Sequence, residues 1–334
     1  MKKKLLALAS IVLIVVLTCS LFACNKTMFD GRYTKEATDE QAAAAWNGAR
    51  ESLKGGSSTV NMATSEAGIK GWTGAQVEFN GSMSTENTEK DKVTKTDASY
   101  KINGSILFDM SAVALSAQLQ YPGDGDAKHS LNAGLYVKDK TYYSDLTFDD
   151  QALQFKHKIS EDLTQIATNE FVQATIEGLS LQFTSLSSLV IQSALNCVDY
   201  DTLKTLGVKA YIDDSGDYNR VKFEFTKEFL ARMQGETSEE EIQKFVEGTT
   251  MGDCYLIVVS NKSDKVFQGA KVGFDFRSEI ATNDESLKTT MKADASISNI
   301  SEIKSYPGGI DNYKDAKDLT LGEIKDFFAN LDLF

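Results

Sequence analysis

Two histidines are the residues on which most familiar catalytic arrangements in this chain would depend. His129 follows Lys128, and His157 lies between Lys156 and Lys158 in a segment that alternates like a strand. Neither histidine has a serine, cysteine or carboxylate nearby in the sequence in the arrangement that nucleophilic catalysis uses. We therefore expect both histidines to be exposed residues of a strand or a turn.

The other catalytic and cofactor motifs are absent from the sequence. There is no pair of histidines or cysteines at zinc-binding spacing and no glycine-rich loop of the kind that holds phosphate groups. The 48 Asp and Glu residues offer many carboxylate pairs, so no single pair can be named as an acid and a base. We expect a protein without enzymatic activity and without a cofactor.

One stretch resembles a calcium-binding loop. Oxygen-bearing side chains recur there at spacings close to those of an EF-hand: Asp213, Ser215, Asp217, Asn219 and Glu224. The sixth position, where the EF-hand needs glycine for a sharp turn, is Tyr218, and the flanking segments alternate like strands rather than helices. The pattern therefore indicates a polar turn between two strands, with no metal.

The thiol of Cys24 has the clearest chemistry in the chain. Three lysines at positions 2–4 precede an apolar run from Leu5 to Ala23, and Leu21-Phe22-Ala23 leads directly into Cys24. In such a segment the lysines stay on the cytoplasmic side while the apolar run enters the bilayer. The run is typical of a bacterial lipoprotein signal peptide, covering residues 1–23.

The junction before Cys24 resembles a lipobox, which implies that Cys24 carries a diacylglycerol and becomes the mature N-terminus. The alternative is an uncleaved transmembrane anchor, since about 20 apolar residues can span a bilayer. In both cases we expect an extracytoplasmic protein held to the cell membrane, with residues 24–34 as a short tether.

The acidic composition limits the partners. The formal net charge is −13 over 334 residues, and binding to nucleic acid needs clustered lysines and arginines instead. We expect no nucleic-acid partner and little attraction to anionic lipid, so that attachment to the membrane depends on the anchor.

Two further cysteines, Cys197 and Cys254, remain after the anchor segment. Outside the cytoplasm they could form a disulfide that closes a long loop. The alternative is two separate buried thiols, which the apolar, strand-like sequence around Cys254 favours.

In the first half of the chain, apolar and polar residues alternate with a period of two, which is typical of strands. A helix is predicted to begin at Thr38, with Gln41 three residues on as its capping partner. About six strands joined by hairpins follow between positions 77 and 158, and Asp139-Lys140 marks a tight turn. Several aromatic residues are assigned to the apolar side of their strands: Phe79, Phe108, Tyr136, Phe223, Phe274 and Phe276.

Helical periodicity replaces this alternation at about 160–206, where residues 186–195 are apolar on more than one side. Five further strands follow, with a helix capped by Ser238 and Glu241 among them and a last helix capped by Thr320 and Glu323. The helical block could separate two domains. A single α+β domain over residues 35–334 explains the order better, with one large curved antiparallel sheet (a half-barrel) and helices packed on its concave face.

This order of elements behind a lipidated cysteine resembles the lipoprotein-carrier superfamily of incomplete β-barrels, which includes periplasmic lipoprotein chaperones and mycobacterial lipid-carrying lipoproteins. The segment Leu135-Tyr136-Val137-Lys138-Asp139-Lys140-Thr141-Tyr142-Tyr143 is also similar to lipoproteins of Gram-positive bacteria with that fold. The resemblance covers most of residues 35–300 and implies an apolar cavity that holds acyl chains.

From the residues alone, an open sheet with an apolar concave face must be filled either by helices or by a ligand. If a ligand fills it, the predicted cavity is lined by six residues: Phe108, Leu115, Leu186, Leu189, Val190 and Phe274. The protein would then bind or carry a lipid or another apolar ligand. If side chains fill it, the protein is a structural or interaction lipoprotein with a filled core.

Overall fold

The computed structural model describes residues 26–54, 71–89, 92–107, 111–122, 128–158, 198–233, 238–281 and 285–329. The strands are β1 (Lys35–Glu36), β2 (Gly74–Glu89), β3 (Lys92–Leu107), β4 (Val113–Pro122), β5 (Lys128–Lys138), β6 (Thr141–Phe148), β7 (Gln151–Lys158), β8 (Lys209–Asp213), β9 (Tyr218–Glu224), β10 (Thr249–Met251), β11 (Tyr255–Asn261), β12 (Phe267–Ala281), β13 (Glu285–Asn299) and β14 (Lys314–Asp315). The helices are α1 (Lys26–Phe29), α2 (Asp39–Lys54), α3 (Tyr200–Thr205), α4 (Lys227–Met233), α5 (Glu239–Gly248) and α6 (Leu321–Ala329), with short 3-10 turns at Ile310–Asn312 and Ala316–Asp318.

All described strands belong to one curved, unclosed sheet. Its order is β1-β8-β9-β11-β12-β13-β2-β3-β4-β5-β6-β7-β14, with β10 paired to β12 beside this path. The pairing is antiparallel except at one edge, where β14 runs parallel to β7. The predicted large antiparallel sheet is therefore confirmed, and it ends at two edge strands of two residues each.

The sheet is joined in its middle by strands that are far apart in the sequence. β2 pairs with β13 along almost its whole length, from Ala75 opposite Asn299 to Glu89 opposite Glu285. The meander β2–β7 thus lies on one side of this seam and the strands β8–β13 lie on the other. One sheet therefore joins the two strand sets that flank the predicted helical block.

Strand register gives the sheet one continuous apolar face, defined by a row of directly paired residues. Because side chains alternate along each strand, paired residues point to the same side. The row runs across eleven strands: Ala210, Phe223, Leu256, Val272, Ala295, Phe79, Ile102, Ala117, Ala133, Leu146 and Leu153. We refer to this side as the apolar face and to the other side as the opposite face.

Described helices pack against the two ends of the apolar face. On α2, the ring of Trp46 lies edge-on to Phe223 at 5.3 Å between centroids. At the other end, Phe327 of α6 joins the cluster formed by Phe148 and Phe155. Most of the predicted helical block lies outside the described residues, so helices on the concave face stay a prediction.

Local sequence signals explain where these helices begin. Thr38 and Gln41 exchange hydrogen bonds at the start of α2, with Thr38 N donating to Gln41 Oε1 at 3.0 Å. Ser238 and Glu241 form the same reciprocal cap on α5. These capping predictions are confirmed. Within the described residues, no helix is long and apolar enough to cross a membrane.

Two predicted side-chain environments are wrong. His157 is 6% exposed, because it lies on the apolar side of β7 in phase with Leu153 and Phe155. Tyr136 lies on the opposite face, since its strand neighbours Leu135 and Val137 occupy the apolar one. There it is buried in a cluster with Tyr143 and Ile310, and Tyr306 and Tyr313 pack against this cluster.

Candidate functional site

The structure describes two of the six predicted cavity residues. Leu115 and Phe274 are 9% and 6% exposed, and both lie on the apolar face as expected. The other four, Phe108, Leu186, Leu189 and Val190, lie outside the described residues. The described geometry therefore does not test whether the six residues form one cavity.

Leu115 and Phe274 belong to different clusters of the apolar face. Leu115 packs with Val113, Leu135 and Val137 on the meander side of the seam. Phe274 belongs to the larger core on the other side, where its ring lies 6.1 Å from that of Phe225. Four strand spacings separate β4 from β12, about 19 Å. A ligand touching both residues would have to be an extended chain.

Three hydroxyl groups are buried on this side without a hydrogen-bond partner in the part of the chain that the structure describes. They are Ser144 Oγ, Tyr121 OH and Thr249 Oγ1. Ser144 lies between Leu135 and Phe155 across the sheet, so its surroundings are apolar. A buried hydroxyl left unpaired costs about 1–3 kcal/mol, and a polar atom of a ligand would remove that cost.

Cys254 carries a buried thiol that is free among the described residues. Its sulfur accepts a hydrogen bond from the Asp275 amide at 3.4 Å and donates to the Asp275 carbonyl at 3.5 Å. Burial raises the pKa of this thiol to about 11, which keeps it protonated and unreactive at neutral pH. Cys197 and the predicted lipidation site Cys24 lie outside the described residues, so the disulfide and the lipidation stay predictions.

The loop that resembles an EF-hand is a polar turn between β8 and β9. Asp213 accepts hydrogen bonds from the backbone amides of Ser215 at 2.9 Å and Arg32 at 3.0 Å. Arg220 lies 3.8 Å from the same carboxylate. The predicted turn is confirmed. Among the described residues, no group of three or more His, Cys, Asp or Glu side chains is arranged to hold a metal ion.

His129 is held by a carboxylate rather than by a nucleophile. Its Nδ1 lies 2.8 Å from Asp149 Oδ2, and Ser130 N donates to the other oxygen of Asp149 at 2.7 Å. The hydrogen bond from His129 and then that from Ser130 lower the pKa of Asp149. The pair joins β5 to the residues that follow β6, which is a structural role.

A groove of about 640 Å³ lies on the opposite face, across the middle of the sheet. Strand register arranges its polar side chains in two adjacent rows. The first row is Asp294, Asn80, Lys101, Gln118 and Asn132, and the second is Lys292, Ser82, Ser99, Gln120 and Ser130. The sequence did not predict this groove, because the alternating polar residues that line it have the same pattern as those of any solvent-facing strand.

Comparison with known proteins leaves the family open. No protein-family model and no curated protein matches the sequence. Several solved structures show weak similarity, including the three that follow. Ail, the attachment invasion locus protein of Yersinia pestis, solved with a heparin analogue, has 6% identity and a TM-score of 0.14, and the match covers 67% of this chain and 98% of Ail.

The other two are proteins of unknown function. A DUF1329 family protein from Desulfovibrio piger has 11% identity and a TM-score of 0.16, with 74% of this chain and 90% of that chain covered. A β-barrel-like DUF1849 protein from Brucella abortus has 7% identity and a TM-score of 0.14, with 67% and 98% covered. Scores this low identify neither the family nor the function.

Proposed function

We propose that this chain is an extracytoplasmic lipoprotein, anchored through a diacylglycerol on Cys24, whose apolar face binds an acyl chain of a lipid. One observation carries the proposal: the apolar face crosses eleven paired strands yet buries the unpaired hydroxyl of Ser144. A core filled by side chains gains nothing from such a hydroxyl, whereas an ester or carboxyl group of a lipid could accept its hydrogen bond. The proposal includes no catalytic step, no cofactor and no nucleic-acid partner.

Burial would supply most of the affinity. Each methylene of an acyl chain gains about 0.8 kcal/mol when it leaves water. A chain lying across several strands would contact both the cluster around Leu115 and the core around Phe274. The hydroxyl of Ser144 would then fix the position of the polar end of the lipid, because its neighbours Leu135 and Phe155 are apolar.

The direct test is mass spectrometry of an organic extract of residues 25–334, secreted by cells and purified without detergent. Lipid near one molecule per protein supports the proposal and identifies its class. A clean extract, repeated after incubation with membrane lipids, would contradict lipid binding. Labelling of the full chain with radioactive palmitate, compared with Cys24→Ser, tests the anchor separately.

Ser144→Ala distinguishes a ligand from a filled core. If lipid binds, this variant should retain several-fold less of it, since a hydrogen bond is worth about 1 kcal/mol. If side chains fill the core, the same change removes a buried unpaired hydroxyl and should leave the stability unchanged or raised. Urea unfolding of the delipidated protein measures that second effect.

A second candidate is a structural or interaction lipoprotein with a filled core. The burial of Val113, Leu115, Leu135 and Val137 on the apolar face favours it. This candidate predicts a clean lipid extract and a melting temperature that does not change when lipid is added. Its partners would contact the acidic surface.

A further inference from the structure

We propose that the groove on the opposite face binds a neutral, hydroxyl-rich polysaccharide chain from the cell exterior. The groove is separate from the apolar face, since its polar residues alternate with apolar-face residues such as Phe79 and Ile102 along β2 and β3. Its volume of about 640 Å³ falls within the range of small-molecule sites, about 300–1,000 Å³. The proposal is therefore independent of lipid binding.

The first row of the groove consists of side chains that are free to bind a ligand. Within the described parts of the chain, five side chains of this row form no hydrogen bond or ion pair with the protein: Asp294, Asn80, Lys101, Gln118 and Asn132. They lie side by side on five neighbouring strands. This row therefore presents a line of donors and acceptors about 19 Å long.

Some polar side chains elsewhere on the sheet pair with a neighbour. Lys95 forms an ion pair with Glu86 at 2.9 Å on β3 and β2. Gln154 donates to Asp145 at 3.0 Å on β7 and β6. These pairs lie outside the groove lining, so they leave the first row open to a ligand.

The lining chemistry favours a neutral ligand. Lys292 is paired with Asp275 at 3.1 Å, which leaves Lys101 and Asp294 as one charge of each sign. An anion would face Asp294 and a cation would face Lys101. Asparagine and glutamine each offer both donors and acceptors, and the hydroxyl groups of a sugar need both.

The shape of the groove favours a sugar chain over a peptide. Extended peptides bind at exposed sheet edges, and apolar pockets for alternate side chains give the specificity. This groove lies in the middle of the sheet, and Leu119, Tyr100 and Ala293 of its lining point toward the apolar face. Two rows of amides, hydroxyls and charges give room for several sugar rings.

The test is calorimetric titration of the full chain, in a detergent without a sugar headgroup, with three neutral tetrasaccharides: maltotetraose, cellotetraose and tetra-N-acetylchitotetraose. The double variant Asn80→Ala/Gln118→Ala should raise the Kd of the bound sugar at least about tenfold, because two hydrogen bonds are lost. Asn103→Ala is the matched control, since Asn103 lies on β3 two residues from Lys101 and outside the groove lining.

Each outcome decides the matter. Binding of one sugar that the double variant weakens and Asn103→Ala leaves unchanged supports the proposal. No binding of any of the three sugars, or equal binding by the double variant, overturns it. Tighter binding of dextran sulfate than of the neutral sugars would also overturn it. Ser144→Ala should not change sugar binding, so failure of the lipid proposal is recognised separately.

Discussion

A buried arginine helps to hold the N-terminal segment on the sheet. Arg220 Nε donates to the Met28 carbonyl at 2.7 Å, and Arg220 Nη1 donates to the Ser215 carbonyl at 3.0 Å. Arg220 and Asp213 are each 7% exposed. Burial alone would raise the pKa of Asp213, but hydrogen bonds from Ser215 and Arg32 and the charge of Arg220 lower it overall. One residue thus links the strand β9, its turn and the helix α1.

Arg220→Met should destabilise the protein by about 3 kcal/mol or more, because Asp213 then stays buried without its cation. Urea unfolding at neutral pH measures this change. Lys222→Met is the matched control on the same strand, where the partly exposed pair with Glu224 at 2.7 Å should contribute less than about 1 kcal/mol. Equal effects of the two substitutions would mean that the buried pair contributes no more than a surface pair.

At the scale of elements, close packing between β2 and β3 depends on Gly81. The ring of Tyr100 stacks on Phe79 with centroids 4.4 Å apart. A Cβ at position 81 would lie 2.2 Å from the Tyr100 hydroxyl oxygen. Only glycine leaves room for this ring.

Gly81→Ala should therefore cost about 1–3 kcal/mol of folding free energy, because Tyr100 must leave its place on Phe79. Gly48→Ala in α2 is the control, and it should raise the stability. A Cβ there has nothing within 4 Å, and alanine favours the helix by about 0.5–1 kcal/mol. Chemical unfolding measures both. A Gly81→Ala protein as stable as the parent would show that Tyr100 moves without cost.

The attachment of α6 depends on the ionised carboxylate of Glu323. Lys314 Nζ donates to it at 2.8 Å, and the Thr320 amide donates to it at 2.8 Å. These hydrogen bonds, the one from Lys314 first, lower the pKa of Glu323 from 4.5 to about 2. A lowered pKa in the folded state means that the carboxylate stabilises the protein above pH 4.5 and loses this effect as the pH falls toward 2.

Glu323→Gln should therefore be less stable than the parent at neutral pH, and the difference should shrink as the pH falls from 4.5 to about 2. Urea unfolding over this pH series, with exchange of the α6 amides as a local readout, measures the change. A difference that stays constant with pH would show that the carboxylate charge plays no part. Glu302→Gln, outside any helix or strand, is the control for the substitution itself.

Prediction from sequence was successful for elements that bury one face and expose the other to solvent. Alternation identified β4 and β5, and capping residues identified the starts of α2 and α5. The outer parts of β2 and β3 were missed, because residues 82–99 are polar on both sides and carry no alternation of hydrophobicity. The groove was missed because its two polar rows form only when five particular strands pair. Alternation along one strand does not reveal which strands pair.

At the scale of the whole molecule, the sheet has no gap at which it would divide. Strand pairing is continuous from β9 through the β13–β2 seam to β7, with one bulge between Val259 and Ser260 where β11 pairs with β12. The edge strands β1 and β14 are two residues long, and short edges offer little to a foreign strand. The predicted single domain over residues 35–334 would unfold as one unit.

Hydrogen exchange in rising urea tests this expectation at two distant strands. The amides of β6 and β11 should lose protection at the same urea concentration, because a cooperative unit unfolds in one transition. Ser84→Pro, at a central position of β2 paired on both sides, should lower both midpoints together. Separate midpoints for β6 and β11 would instead indicate two domains that share a sheet.

Because β2 pairs with β13, β2 must remain unpaired on one edge during synthesis until β13 has been made. β13 begins about 200 residues after β2 ends, which at ribosomal rates of about 5–20 residues per second is roughly 10–40 s. For that interval the outer edge of β2 has no partner of its own. Its second half, Ser82 to Glu89, is built almost entirely from serine, threonine, asparagine and glutamate. During synthesis this polar half of β2 therefore stays hydrated until β13 is made. An apolar edge strand would instead associate with another exposed apolar segment before β13 appears.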